Sequence, residues 1–171
     1  MKTLLAFFSR ADENYFGGQY RYIEVGNTEV IAGQIKELCN PDVYKIEMKK
    51  PYSKVYNTCI DEAKKDLQAN ARPEILNMPE NIDEYDNIIL AYPNYWGTAP
   101  VAVFTFLEGF DFSGKTIYPL CTNEGSGMGR SEADIKKIAK CEVKKGLSII
   151  GSHVNSAKPQ VEKWLKANNL I

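Results

Sequence analysis

Histidine is almost missing from this chain: His153 is the only one in 171 residues. The four cysteines, at positions 39, 59, 121 and 141, are widely spaced and form no CxxC pair. A structural zinc site needs four such ligands at short spacing, so none is expected. A chain of this length builds a core without staples, so reduced thiols are expected. Neither sign of charge dominates, with 21 Lys and Arg against 22 Asp and Glu. The short runs Lys49-Lys50, Lys64-Lys65 and Lys136-Lys137 read as solvated faces, so no capture of nucleic acid or of a membrane surface is expected. The first apolar run, TLLAFF at Thr3–Phe8, is too short to span a bilayer and has no small-x-small cleavage site after it. It reads as a strand, and a cytoplasmic location is expected. A phosphate-binding G-x-x-x-x-G-K-[ST] loop is absent, which sets aside a P-loop nucleotidase. No repeat, low-complexity tract or linker divides the sequence, so residues 1–171 read as a single domain.

Alternation is what the sequence does contain. TLLAFF and Asn87–Tyr92 (NIILAY) are continuous apolar runs, the mark of strands covered on both faces. Asp42–Met48, Lys115–Thr122 and Val143–Ile150 read as three more strands, and Pro119 predicts a bulge in one of them. Between them lie helical faces at Thr28–Leu38, Asn57–Ala71, Pro100–Leu107 and Ala157–Asn168. Another helix is opened by Ser131-Glu132-Ala133-Asp134, a capping-box pattern. Strand and helix alternate about five times, which predicts a parallel sheet with helices on both faces. Ligands then bind at the carboxyl ends of the strands.

Three loops fall at that edge. The first holds Ser9, Arg10 and Ala11, then Gly26, Asn27 and Thr28 at the start of a helix. Asn27 or Thr28 suits the cap, and the helix N-terminus offers unpaired N–H groups to an anion. The second, Pro93-Asn94-Tyr95-Trp96-Gly97-Thr98, sets two rings beside a glycine that permits an unusual backbone angle. These rings either face a planar ligand or pack over the end of the sheet. The third, Cys121-Thr122-Asn123-Glu124-Gly125-Ser126-Gly127-Met128-Gly129, is a pliable polar backbone that wraps a ligand or makes a plain turn. A phosphate joined to a planar, polar-edged ring would use all three.

The stretches LLAFFSR…GNTEVIAGQI and AYPNYWGTAPVAVFTFLEGFDFSGKTIYPLCTNEGSGMGRS resemble the flavodoxin superfamily, in particular its bacterial flavodoxin-like branch. The resemblance covers essentially the whole chain. It implies an α/β flavodoxin-like three-layer sandwich, with a five-stranded parallel sheet in the order 2-1-3-4-5, and FMN bound without a covalent link. It further implies that Ser9, Ala11, Asn27 and Thr28 hold the phosphate. Arg10 would contribute through its backbone, with its side chain pointing outward. Pro93, Asn94, Tyr95, Trp96 and Gly97 would line the isoalloxazine, and Gly97 would flip its backbone towards the reduced ring. Thr122, Asn123, Gly125, Ser126 and Gly127 would hold the pyrimidine edge. Glu124 beside the ring would oppose an anionic reduced flavin.

One departure from the family's pattern stands out. The serine and Gly-Asn-Thr are usually one or two residues apart, whereas here an insertion, roughly Asp12–Val25, separates them. It is expected to bulge out as a loop beside the phosphate, its Tyr15, Phe16, Tyr20 and Tyr22 covering the flavin, facing a partner, or packing back on the protein.

No acid–base pair stands at a persuasive spacing, and His153 is expected to be structural or exposed. The leading functional expectation is an electron-transfer carrier. A flavin-dependent NAD(P)H:quinone-type reductase is the alternative, and a flavin sensor without turnover comes third. The expected partners are redox proteins or a small electron acceptor, with the chain a monomer or homodimer. Electron-shuttling flavodoxins tend to be acidic, which a net charge of −1 does not match. Glu80, Asp83, Glu84 and Asp86 are the candidate local acidic patch.

Overall fold

A computed structural model describes every residue from Met1 to Ile171. The elements run β1 (Thr3–Phe7), β2 (Asp12–Phe16), β3 (Gln19–Ile23), α1 (Asn27–Cys39), β4 (Asp42–Lys45), α2 (Tyr56–Gln68), β5 (Asn87–Pro93), α3 (Val101–Glu108), β6 (Thr116–Asn123), α4 (Ser131–Ala139), β7 (Glu142–Val143), β8 (Leu147–Ile150), a 3-10 helix (Gly151–Ser156) and α5 (Lys158–Ala167). The main sheet is parallel, in the order β4-β1-β5-β6, with β7 and β8 both paired to β6. Taking β7 and β8 as one interrupted strand, and leaving out the separate β2–β3 pair, the order is the expected 2-1-3-4-5.

Side chains alternate across this sheet and feed two cores. Leu4, Ala6, Ile88 and Leu90 join Val103 and Phe106 of α3 and Ile135 of α4 on one face. Leu5, Phe7, Ile89 and Ala91 join Ile31 and Ile35 of α1 and Val161 and Leu165 of α5 on the other. No helix is long and apolar enough to cross a membrane. All four cysteines are free thiols.

Three local expectations are corrected. Pro119 makes no bulge in β6, which keeps one unbroken register with β5 from Asn87↔Thr116 to Pro93↔Thr122. The interruption lies in its other neighbour: β7 pairs with Thr116–Ile117 and β8 with Leu120–Asn123, leaving Pro119 opposite the break. A proline lacks the N–H that a continuous fifth strand would need there. The Ser131 capping box does not form either. Ser131 Oγ donates to Met128 O at 2.6 Å and accepts from the Tyr92 hydroxyl at 2.8 Å, while Arg130 is the N-cap. A buried tyrosine hydroxyl has claimed the cap.

The insertion, finally, is no irregular loop. β2 and β3 form an antiparallel hairpin, Asp12↔Ile23 to Phe16↔Gln19, closed by Gly17 and Gly18 at φ 62° and 88°. Two residues at positive φ make the turn whose twist suits a tight hairpin. Glu13 fastens it to α2, its Oε1 accepting the Tyr56 N–H at 2.9 Å. Tyr15 and Tyr20 pack together at 6.0 Å, and Tyr20 packs on Tyr56 of α2 at 5.4 Å.

The break in the fifth strand depends on Gly146. A β-carbon there would lie 2.9 Å from Pro119 O and against the Met128 methyl group. Gly146→Ala should therefore destabilise the fold by about 1–3 kcal/mol, read as a lowered urea midpoint with an unchanged slope.

Candidate functional site

The first loop and the start of α1 are pressed together. A β-carbon on Gly26 would meet Arg10 O at 2.5 Å and run into Ser9 Oγ, so only glycine allows this approach. Gly26 is the N-cap and has no side chain to offer, and neither Asn27 nor Thr28 caps the helix. Ser9 does so from across the gap, its Oγ accepting the Glu29 N–H at 3.0 Å. Asn27 and Thr28 are the first two helical residues, and their N–H groups have no partner within the helix. The Thr28 hydroxyl is buried and shares a 2.8 Å hydrogen bond with Thr122, tying the first loop to the third.

The second loop is a tight turn. Tyr95 N–H donates to Thr98 O at 2.8 Å, and Trp96 and Gly97 take φ values of 57° and 85°. The left-handed angle is easy for Gly97 and strained for Trp96. Trp96 is held there by its Nε1–H, which donates to Ile60 O at 2.8 Å, and by the Lys64 ammonium 4.9 Å over its ring. The two aromatics thus divide: Trp96 stays 44% exposed at the mouth of the site, whereas the Tyr95 ring packs edge-on against Phe8 at 5.8 Å.

Two asparagines organise the other loops. Asn94 Nδ2 donates to Gly127 O at 2.9 Å, and its Oδ1 accepts the Gly97 N–H at 2.8 Å. Asn123 Oδ1 accepts from the N–H groups of Gly125 and Gly127 at 2.9 and 3.0 Å, and its Nδ2 donates to Ser148 Oγ at 2.8 Å. Both side chains shape the loops; Asn94 keeps one N–H and one lone pair free, while both lone pairs of Asn123 Oδ1 are taken. The Gly97 carbonyl accepts the Arg130 N–H at 2.8 Å, so the expected flip of the peptide after Gly97 would break that bond and the one from Thr98 N–H to Tyr95 O.

Glu124 turns towards the 3-10 helix. Its Oε2 accepts from Ser152 Oγ at 3.2 Å, and a β-carbon on Gly151 would lie between its Oε1, at 2.9 Å, and Asn27 Nδ2, at 2.5 Å. The carboxylate therefore sits beside the N-terminus of α1, where the helix dipole favours it. His153, on the same 3-10 helix, is exposed.

Arg10 is also corrected. Its side chain turns inward: Nη1 donates to Ser53 O at 2.8 Å and Nη2 to Glu13 O and Lys54 O, both at 3.1 Å. The carbonyls of the hairpin and of the turn before α2 draw it in.

These loops open on one cleft of about 370 Å³, within the usual range of small-molecule sites. It brings together Arg10, Asn27, Thr28, Pro93, Asn94, Tyr95, Trp96, Gly97, Thr122, Asn123, Glu124 and Ser126. Ser9, Ala11, Gly125 and Gly127 are not on its wall; Ser9 and Ala11 border a second cavity behind Arg10, and the glycines shape the third loop. Tyr15 of the insertion joins the wall, and Asn14, Gly151 and the α2 face Tyr56, Cys59, Ile60 and Ala63 complete it unforeseen. The α2 residues follow an i, i+3, i+4, i+7 spacing that was legible, and Gly17-Gly18 between tyrosine-bearing segments was a hairpin signal. Burial pushes the Tyr95 hydroxyl and the Cys59 thiol upward, so both stay protonated at neutral pH.

The flavodoxin family profile matches residues 20–168. The chain belongs to the flavodoxin family. Among solved structures it is similar to a protein of Bacteroides eggerthii assigned as a flavoprotein, at 26% identity and TM-score 0.76, over 97% of this chain and 96% of that one. It also shares the fold of a Lactobacillus acidophilus flavoprotein solved in complex with FMN, at 17% identity and TM-score 0.64, over 91% and 97% of the two chains. An NADH:FMN oxidoreductase has the same fold at 11% identity and TM-score 0.53, over 98% and 90%. No curated protein matches the sequence. Flavodoxins are an FMN-binding family, and the residues present fit that cofactor. The glycine cradle at Gly26 leaves unpaired helical N–H groups at one end of the cleft, and aromatic and aliphatic faces line the other.

Removing the acceptor that gathers the third flavodoxin loop should be costly. Asn123→Ala leaves the N–H groups of Gly125 and Gly127 without their partner and should lower stability by about 1–3 kcal/mol in chemical denaturation. Asn123→Asp keeps that acceptor and should lose less.

Proposed function

We propose that this protein holds FMN in the cleft at the carboxyl ends of β1, β5 and β6 and works as an electron-transfer carrier. The observation that carries the reading is the union, in one cleft, of an α1 N-terminus stripped of side chain at Gly26 with the aromatic wall of Trp96, Tyr56 and Tyr15. FMN supplies one- and two-electron transfer; the chain binds and orients it.

In this reading the N–H groups of Asn27 and Thr28 bind the phosphate, and Ser9 keeps the helix end in place. The backbone of Arg10 and Ala11 closes that end. Trp96 and the α2 face Tyr56, Ile60 and Ala63 flank the ring. Thr122 and Ser126 meet its polar edge, while Asn94 and Asn123 hold their loops in register. Residues 1–171 act as one domain.

The rim supports contact with a partner. Trp96 is 44% and Tyr20 59% exposed, and Val55 beside them is also exposed. The candidate acidic patch has no part in this contact. Glu84 pairs with Lys2, and Asp86 accepts the Lys2 N–H, at the amino ends of β1 and β5 and opposite the cleft. A reductase is the second reading, since the fold is shared with an NADH:FMN oxidoreductase.

Purified protein mixed with FMN should quench the cofactor's fluorescence in a saturable manner, and unchanged fluorescence would sink the reading. Anaerobic NADH or NADPH added to the complex should leave the yellow colour intact. Direct bleaching would assign the reductase instead.

A further inference from the structure

Arg10 is half-buried on the cleft wall, and no carboxylate is paired to it. Its three hydrogen bonds all go to neutral carbonyls, those of Ser53, Glu13 and Lys54, and Nε is buried without any partner. The neighbouring acids form no ion pair with it and turn to backbone N–H groups instead. Glu13 Oε1 accepts the Tyr56 N–H at 2.9 Å, and Glu62 Oε1 accepts the Ser53 N–H at 2.7 Å. A second polar atom in the same wall, the Tyr95 hydroxyl, is also buried without a partner. Carbonyl dipoles solvate a cation but leave its charge uncancelled, and a desolvated charge is costly until an opposite one approaches.

The direction of the side chain says which end of the ligand is meant. The Arg10 backbone touches Gly26 at the start of α1, but the guanidinium runs away from there, towards residues 53–54 and the Cys59–Tyr95 side of the cleft. The helix end already provides for a phosphate. Glu124, the acid on the wall, sits at that same helix end, so it does not cancel Arg10.

We propose that the Arg10 guanidinium is the counter-charge for the negative charge that the flavin ring gains on reduction. The inference rests on FMN occupying the cleft. Two electrons and one proton entering the neutral ring leave it with one negative charge. Arg10 compensates that charge across a low-dielectric wall, so the cleft holds reduced FMN more tightly than oxidised FMN relative to a site without the arginine. Arg10 is a positioning and tuning residue, set by its own hydrogen bonds and transferring no proton.

The test compares wild type, Arg10→Met and Arg10→Lys. Dissociation constants are measured for oxidised FMN and for dithionite-reduced FMN, with circular dichroism to confirm folding. Arg10→Met should lose about tenfold of the preference for reduced over oxidised FMN, a fall of about 30 mV in the two-electron potential. Arg10→Lys keeps the charge and should stay within about threefold of wild type in that ratio. Equal weakening of both oxidation states in both variants, or an unchanged ratio in Arg10→Met, overturns the inference and leaves FMN binding standing. Should Arg10→Met fail to fold, wild type decides: protonation of the bound reduced ring, followed by absorbance, must fall at lower pH than for free reduced FMN. An equal or higher midpoint refutes the proposal. Absence of any FMN quenching by wild type is the separate failure of the cofactor reading itself.

Discussion

Contact between the end of β1 and the start of α1 is the constraint on which the site depends. Ser9 gives its oxygen to the Glu29 N–H, and Gly26 has no side chain because the Arg10 carbonyl occupies that space. Fourteen or so residues intervene without loosening this contact, since the chain leaves and returns at nearly one point. Closing such an excursion costs little more than closing a short one, because the entropy grows only with the logarithm of length. The hairpin then offsets its own ordering. It forms a ladder from Asp12 to Ile23, caps α2 through Glu13 and stacks its tyrosines on Tyr56. An insertion that would otherwise hang free becomes one wall of the cleft, through Asn14 and Tyr15.

The amide side chains of Asn94 and Asn123 extend the same logic to the other two loops. Each satisfies both its donor and its acceptor within the protein, and Asn94 links the loops through Gly97 and Gly127. Asparagine suits this work because it donates and accepts while remaining uncharged near a cofactor whose charge changes. Asn94 and Asn123, expected as direct ligands, thus also hold their loops. What remains facing the cleft is mostly unpaired backbone N–H at α1, ring faces, and one half-buried cation. Loops held by their own hydrogen bonds lose less freedom when a ligand binds.

The strands and helices were legible because their signals are local. TLLAFF and NIILAY are continuous apolar runs, and the central strands they predict are buried on both faces. The failures share a different cause, competition from distant residues. Ser131 has the right neighbours for a capping box, but Tyr92, thirty-nine positions away, takes its oxygen. Pro119 was located correctly as a disruption, yet its effect falls on the neighbouring strand, where Lys144-Lys145-Gly146 break the pairing. The hairpin was obscured because its arms mix charge with aromatics, so alternation is hard to see, although Gly17-Gly18 marks its turn. Arg10 was unreadable in principle. Nothing local tells whether a long cation snorkels outward or turns in to carbonyls forty-three residues downstream.

Net charge concealed a polarity that bears on how the protein meets other molecules. Lys2 pairs with Glu84 and Asp42 at the amino ends of the strands, where the other acids near position 84 also lie. Around the cleft, Arg10, Lys64 and Arg130 line up against Glu124, with Asp134 tied to Arg130. Long-range attraction of a basic partner therefore gains nothing at this mouth, because the acidic residues that would supply it stand at the wrong end. Association there has to rely on apolar contact with Trp96 and the tyrosines, which holds a complex once formed but does not accelerate encounter. For the proposed carrier, exchange at this mouth then rests on weak, quickly released docking.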